Sequence, residues 1–486
     1  MNINIVPSRV QADVESLTDS QLKAYEELLT FIKQPYDVNN FKKALIGSAG
    51  TGKTYLLKTL IINSGLSFSR IGLAAPTHKA CRVLKESIML QGVTINTLAS
   101  DLGLKINYDL SNFDPKSPPF DPKGRIKIGD YSLYIIDEAS MINRGLLTYL
   151  EKIVKGKKCK IIYVGDDHQL PPVNETYSPA FKGCTSYRLT QIVRQDEDNP
   201  VSPLLELLRY DIEHRTFKFI ETITKNPINF DSSNIKGYQV CDKQTFENYI
   251  ALNFGDEQLA RNVDYCKVIA YTNDNVSYWN KVIRQNIIKD ADISIVTNND
   301  LFISYTTIVD QFNSPIIQNS EDYIIKDVVN FVHPRYGFKG FSVRFVAIHG
   351  GHVTTPLFIL DHTDSVSVLQ YVKLCNTMID NAKKANTKLR AQKWREYYEF
   401  KDNFLLLTNI KSSNGTLLYP RSIDYGFALT AHKSQGSTFD TVFVDVNDIV
   451  YDKRGNVYRD VTEINRRLYV ACSRCRNKLY LRYGKQ

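Results

Sequence analysis

The chain has 486 residues, more than one ordinary domain, and a prior of about 100–200 residues per domain suggests roughly two to four. Hydrophobic residues at 43% and charged residues at 23% are typical of a globular chain and exclude a disordered or fibrous one. The 61 Lys and Arg against 52 Asp and Glu leave a net charge of +9, which permits a polyanionic partner without requiring one.

The N-terminal MNINIVPSRVQADVES lacks a basic-then-apolar signal, and no apolar run approaches the ~18 residues that span a bilayer. A soluble intracellular protein with no membrane partner is expected. The 8 cysteines are scattered, which fits a reducing compartment. Cys472 and Cys475 have CxxC spacing, but zinc needs four ligands and no second pair lies near. They read as incidental thiols on one helix.

Taken in chain order, strand-like runs ALIG (44–47), IGLAA (71–75), LYIID (133–137) and IIYVG (161–165) alternate with helical stretches such as 54–64 and 78–88. That alternation predicts an α/β fold with a parallel sheet and helices on both faces. Residues 101–130 interrupt it and read as a surface insertion carrying Phe113 and Phe120. A second α/β region begins near Leu189 and includes the strand VIAYT (268–272) and the helix 274–287. From 290 to 420 the runs ISIVT, SYTTIV, YIIKDVVNFV, FSVRFVAIH and TTPLFILDH predict β structure, with a helical stretch at 367–400. The α/β pattern resumes at FALTAHKSQG (427–436), so the second α/β domain is split by an insert. Trp394, Tyr397, Tyr398 and Phe400 recur at helical spacing and read as core. The basic run KGKKCK (155–160) reads as a solvated helix end.

Residues 47–54, GSAGTGKT, match G-x-x-x-x-G-K-S/T between a strand and a helix, the context this motif needs. Gly47, Gly50 and Gly52 let the backbone wrap a phosphate, and the N–H groups of the loop, Ala49 and Thr51 among them, face its oxygens. Lys53 reaches the β and γ phosphates of ATP, and Thr54 ligates Mg2+. In YIIDEAS (134–140), Asp137 holds the metal and Glu138 activates water as general base. In VGDDHQLPPV (164–173), Gln169 is the candidate γ-phosphate sensor, while Asp166, Asp167 and His168 read as a solvated turn.

The ordered set GSAGTGKT, APTHKA, IIDEAS, GDDHQLPPV, LTQIVRQ, LTAHKSQGSTFD and LYVACSR resembles the motif set of superfamily 1 helicases. APTHKA and HKSQG, together with AYTNDNVSYWN (270–280), resemble the 5′→3′ subgroup that contains RecD and the Dda helicase of T-even bacteriophage. About two thirds of the chain is covered. The resemblance implies two RecA-like P-loop NTPase domains with parallel sheets, a small insertion in the first and a larger β-rich, SH3-like insertion with a helical arm in the second. The expected boundaries are 1–188, with the insertion 101–130, then 189–289, 290–420 and 421–486.

It further implies that Gln21, in LTDSQ, reads adenine, and that Gln435 and Gly436 lie on the nucleotide side. Arg194 and Arg474 match the two arginines that approach the γ-phosphate from the second domain, a role suited to a planar guanidinium. Thr77, His78, Thr430, His432 and Lys433 fall at DNA-contact positions, where such donors suit phosphate oxygens. In TINTLAS (94–100), Asn96 stands where relatives often carry His. Phe113 or Phe120 is the candidate separation pin. The expected enzyme is an ATP- and Mg2+-dependent DNA helicase, monomeric and cytoplasmic, in a bacterial or phage-infected cell. Its substrates are single-stranded DNA and single/double-strand junctions, with a single-strand-binding protein or replisome component as a further partner. An RNA helicase of the related group, a translocase or protein-displacing remodeller, and a scaffold with a lapsed ATPase remain open alternatives. Glu399-Phe400-Lys401 has the E-x-K form of a nuclease but lacks a supporting acidic pair.

Overall fold

The computed structural model describes residues 14–106, 120–122, 124–172, 175–191, 199–310, 315–348 and 351–484. The chain divides into two compact units, 1–104 with 124–198, and 105–123 with 199–486.

The first unit is built on six parallel strands in the order Thr94–Thr97, Ile71–Ala75, Leu133–Ile136, Lys160–Gly165, Lys42–Gly47, Thr185–Leu189. The central strands are buried along their whole length, which is why they read as unbroken apolar runs rather than alternating ones. Two apolar clusters cover the two faces. One includes Leu28, Leu56, Leu60 and Leu84 from helices, the other Ile142, Leu150 and Val154. Lys160 is buried, and its ammonium donates to the carbonyls of Phe31 and Ile32 at the end of the helix Asp19–Lys33. The basic run 155–160 therefore ends in a buried helix cap, not only in solvent.

The boundary expected at 188 moves because Leu189 pairs with Gly47 at the edge of the first sheet. The small insertion also shrinks, from 101–130 to 105–123. Asp101, Leu102 and Ile128 are fully buried in the first unit. Gly103, at φ +64°, accepts from Gly124 N–H at 2.8 Å, and a Cβ on Gly103 would meet the Gly124 carbonyl at 2.6 Å. This pinch closes the base of the insertion, where Leu104–Ile106 and Phe120–Pro122 form a two-stranded sheet.

The second unit carries a sheet in the order Ala428–Thr430, Cys266–Ala270, Phe439–Asp445, Cys475–Arg482, Gly237–Cys241, Ile228–Phe230. Five strands are parallel, as the expected parallel sheet requires, and the edge strand Ile228–Phe230 is antiparallel. The link from Phe230 to Gly237 is too short for a crossover helix, so it closes as a hairpin around Asp231, which accepts from Ile235 and Lys236. Cys472 ends a helix and Cys475 opens a strand, so the two thiols do not share one helix.

Between these strands lies a mostly antiparallel sheet, Phe404–Leu405, Leu357–Leu360, Lys339–Ala347, Asp322–Val332, Leu301–Ser304, Ile423–Tyr425. Its last strand runs past the expected limit of 420 because Ile423–Tyr425 pairs with Leu301–Ser304. The helical stretch is two helices, Ser365–Lys384 and Thr387–Asp402, the second capped by Asn386. They form the crossover that lets Leu357–Leu360 and Phe404–Leu405 pair in parallel. Trp394, Tyr397 and Phe400 pack with Phe338, Phe358 and Phe404 as core. The run ISIVT (293–297) is not a strand. Buried Arg284 donates to the carbonyls of Ala291 (2.9 Å) and Ser294 (2.7 Å) and pairs bidentately with Asp300 (2.7 and 3.0 Å), holding the segment as a turn. Among the described residues, no helix is long and apolar enough to cross a membrane.

Removing one partner of a buried, doubly bonded ion pair leaves the other charge uncompensated, at a cost of about 3–5 kcal/mol. Arg284→Ala is therefore expected to lower the thermal unfolding midpoint markedly, and Asp300→Ala to do the same. Calorimetry on both variants checks it.

Candidate functional site

The phosphate loop follows the strand Lys42–Gly47 and leads into the helix Lys53–Asn63. Gly50 and Gly52 have φ of +86° and +73°, a region that side chains resist. A Cβ on Gly47 would meet Thr51 Oγ1 at 2.5 Å. The loop binds itself: Thr51 Oγ1 donates to Ser48 O (2.9 Å), and Lys53 Nζ donates to Gly47 O (2.7 Å) and Ser48 O (3.0 Å). Gln21 is 1% exposed and is the third helical residue of a capping box begun by Thr18. Its Oε1 accepts from Thr18 N–H (3.0 Å), and its Nε2 donates to Thr51 O (2.9 Å). Gln21 thus ties the start of the helix Asp19–Lys33 to the loop. Ala49 and Thr54 lie within this frame, Thr54 in the first helical turn.

The strands ending at Gly47, Gly165 and Ile136 are consecutive in the sheet, so their following residues meet along one carboxyl edge. Ligands of open parallel sheets bind there. Burial raises the Asp137 carboxyl above its usual range, against the pull of the Lys53 ammonium and the Glu138 N–H. That N–H donates to Asp137 Oδ1 at 2.9 Å. Glu138 itself takes φ +51°, an uncommon conformation for a non-glycine residue. On the middle strand's loop, Gln169 is 5% exposed and its N–H donates to Asp166 O (3.3 Å). His168 is 9% exposed, with its N–H on Asp166 Oδ1 (3.0 Å). The expected solvated turn is therefore a largely buried one; only Asp167 reaches outward, to Arg188 (3.0 Å).

Thr77 caps the helix His78–Ile88, its Oγ1 accepting from Ala80 N–H (3.2 Å), directly after the strand Ile71–Ala75. Burial, then Lys85, holds His78 below its usual range. Asn96 is occupied by buried Asp101, at 2.8 Å.

In the second unit, Thr430 ends the edge strand and its Oγ1 accepts from Lys433 N–H (3.2 Å). Burial, then Arg467, lowers the pKa of His432, and burial, then Arg421, pushes Lys433 down to about 8. Gln435 is buried, and Gly436 has φ +72°. Arg474 is 5% exposed and donates to the carbonyls of Val470 (3.1 Å) and Ser437 (3.1 Å), which joins LYVACSR to HKSQGS. Arg194 and Phe113 lie outside the described residues; Phe120 lies on a described strand.

Motif reading missed the residues that hold these loops. Asp448 accepts from the N–H groups of Tyr271 (2.7 Å) and Thr272 (2.8 Å) and from Thr272 Oγ1 (2.8 Å), fixing the start of the helix Asn273–Ile287. Asp445 accepts from Trp279 Nε1 (2.8 Å) and pairs with Arg482 (2.8 Å). A carboxylate closing an apolar strand, as in FVDVND, is the only signal the sequence carried for either.

The AAA domain family model matches residues 16–222, and that of the UvrD-like helicase C-terminal domain matches residues 425–482. An ATP-dependent RecD2 DNA helicase of Deinococcus radiodurans is 30% identical over 164 residues, covering 32% of this chain and 20% of that protein. The RecBCD enzyme subunit RecD of Buchnera aphidicola is 23% identical, covering 88% and 69%. These matches support a superfamily 1 helicase of the RecD-like type. An uncharacterized protein of Acanthamoeba polyphaga mimivirus is 25% identical to this chain over 95% of its length and 98% of that protein's. Among solved structures, the Pif1 helicase from Candida albicans is 17% identical, covering 96% of this chain and 94% of that chain, with a TM-score of 0.47.

Lys53 bonds the loop carbonyls, and its charge favours the ionised form of Asp137, so its loss touches both. Lys53→Ala is expected to lower ATP turnover by at least ~100-fold, the scale of losing one preorganised charge donor. Single-strand binding should stay largely intact. A coupled ATPase assay beside a DNA-binding titration checks both.

Proposed function

We propose that this chain is a helicase of the RecD-like type that hydrolyses ATP to move 5′→3′ along single-stranded DNA and to unwind duplex. The main support is the convergence of Lys53, Asp137 and Gln169 at the carboxyl ends of three neighbouring strands, in a chain whose later segment matches a UvrD-like helicase domain. The polarity and the nearness to Dda rest on the motifs APTHKA and HKSQG.

In this reading Lys53 leaves the carbonyls of Gly47 and Ser48 for the β and γ phosphates. Gln21, already directed at the loop, reads the adenine edge, and Gln435 and Gly436 contribute on the nucleotide side. The donor set fits Mg2+: Thr54, in the first turn of the helix Lys53–Asn63, supplies a hydroxyl, and Asp137, just past the strand Leu133–Ile136, supplies a carboxylate. The metal, when bound, neutralises charge on the β and γ oxygens. Glu138 orients and deprotonates water, Gln169 senses the γ-phosphate, and Arg194 and Arg474 compensate charge on the transferring group. Thr77, His78, Thr430, His432 and Lys433 hold strand phosphates, so little sequence preference is expected. Phe113 or Phe120 splits the duplex. The protein works as a monomer on single strands and junctions, beside a single-strand-binding protein or replisome component. We place it in the cytoplasm, in replication or recombination, in a bacterial or virus-infected cell; its mimivirus relative is viral.

Unwinding of two partial duplexes, one with a 5′ tail and one with a 3′ tail, tests the proposal. ATP-dependent opening of the 5′-tailed duplex alone is the expected result. If neither opens while single-stranded DNA stimulates ATPase, the protein is a translocase and the pin is withdrawn. Stronger stimulation by a ribose strand would favour the RNA reading, since only that strand offers 2′-hydroxyls.

Phosphate contacts release counterions, with a log–log slope of about −0.7 per phosphate on single strands. Single-strand affinity is expected to fall steeply between about 50 and 200 mM salt. A flat response in a fluorescence titration would remove the proposed strand face.

A further inference from the structure

Lys433 differs from the other candidate phosphate contacts in what surrounds it. Its Nζ lies 4.0 Å from the centre of the Tyr305 ring. Among the described residues, no hydrogen-bond acceptor or ion-pair partner meets that ammonium. Its three N–H donors are uncommitted, and the ring face is its seat.

The ring is itself fixed. Arg421 Nη2 donates to Tyr305 Oη (3.2 Å) and to Asn273 Oδ1 (3.1 Å), while Arg421 Nη1 pairs with Asp424 Oδ2 (2.5 Å). Tyr305 and Arg421 belong to the β-rich insert, whereas Asn273 opens the helix Asn273–Ile287 and Lys433 lies on the loop after the motor-sheet strand Ala428–Thr430. The cluster therefore spans the two parts of the second unit at the end of LTAHK.

We propose that Tyr305, held by Arg421, is a positioning residue for strand binding: the insert's ring seats the Lys433 ammonium where a strand phosphate can accept from it. This deepens the proposed function, since it rests on the strand-contact role of Lys433. A flexible lysine offered to a phosphate must otherwise give up rotamer freedom on binding, and an aromatic seat removes much of that loss beforehand.

The charged groups facing Lys433 are Arg421, Asp424 and Asp322, with the Tyr305 phenol beneath it. Asp322 lies close to buried Lys267 (3.7 Å). Burial, then Asp424, keeps the phenol neutral by raising it to about 12. Burial, then Arg421, lowers Lys433 to about 8, against the pull of Asp322 and Asp424. A phosphate favours the ammonium form. The Lys433 share of affinity is therefore complete below about pH 8 and is lost as pH rises from there through the higher pKa of the phosphate-bound form.

The test measures affinity of the full chain for a labelled oligothymidylate by fluorescence anisotropy. Tyr305→Leu is expected to weaken binding about three- to tenfold, the range of a partly buried cation–π contact. Tyr305→Phe, which keeps the ring, should restore most of it. Adding Tyr305→Leu to Lys433→Ala should weaken binding no further. If Tyr305→Leu binds as the wild type does while Lys433→Ala binds weakly, the positioning role is wrong and the strand face stands. If Lys433→Ala has no effect, the strand-contact reading of Lys433 falls first. Should Tyr305→Leu not fold, the pH profile decides. Wild-type affinity should drop between pH 7 and 9, whereas that of Lys433→Arg, whose guanidinium stays charged, should not. Identical profiles would overturn the proposal.

Discussion

The ammonium of Lys53, bonded to the carbonyls of Gly47 and Ser48, holds the shape of the phosphate loop. A loop of eight residues between a buried strand and a helix has N–H groups that point inward and few partners for them. Thr51 Oγ1 on Ser48 O and Gln21 Nε2 on Thr51 O add two further ties, and both reach carbonyls rather than N–H groups. These ties spare the loop N–H groups, of which that of Thr51 donates to Ser48 O (3.4 Å). The same ammonium supports the ionised form of Asp137, which burial opposes. One side chain therefore serves both the loop shape and the charge of Asp137, and in the proposed function it also meets the phosphates.

The second unit solves a similar problem with carboxylates. Its strands also end along one edge, and the loops leaving that edge are fixed by Asp445 and Asp448. Charged acceptors on backbone N–H groups are stronger than neutral ones. Asp448 takes three donors from Tyr271 and Thr272, so the first turn of the helix Asn273–Ile287 is set from the short helix Val446–Val450 that follows the strand Phe439–Asp445. That places Asn273 where Arg421 can reach it. The order of the motifs alone does not specify this geometry; it requires the edge to be rigid.

The α/β class and the phosphate loop were legible because both are local. Buried parallel strands leave unbroken apolar runs, and GSAGTGKT carries its glycines and lysine within eight residues. The helix His78–Ile88 begins and ends where its pattern predicts, because Thr77 caps it. What escaped reading depends on partners far apart in sequence. ISIVT has strand composition, yet Arg284 and Asp300 take its backbone for a turn. Leu189 begins a new α/β pattern by composition but closes the first sheet by pairing with Gly47. KGKKCK reads as solvated because five of its residues precede the strand; its last lysine is the one buried under a helix end. Lys433 lies 128 residues after Tyr305, the ring that seats it, and no motif joins them.

The path of the chain at the insert explains why that seat lies where it does. Tyr425 pairs with Phe302 in the insert's sheet, Gly426 donates to Leu301 O (2.8 Å), and Ala428 already pairs with Val268 in the motor sheet. Two residues therefore separate the two sheets, and Lys433 follows five residues later. Buried Lys267 closes the junction, donating to Gly426 O (2.7 Å) and facing Asp322 of the insert at 3.7 Å. Such a pair gives little net stability against its desolvation, but it tolerates only a narrow geometry. A shift of the insert against the motor sheet would strain this pair and move Tyr305 from beneath Lys433 together. The insert is thus coupled to LTAHK by a short covalent link and a buried charge contact, the arrangement required if a β-rich appendage is to take part in holding a strand.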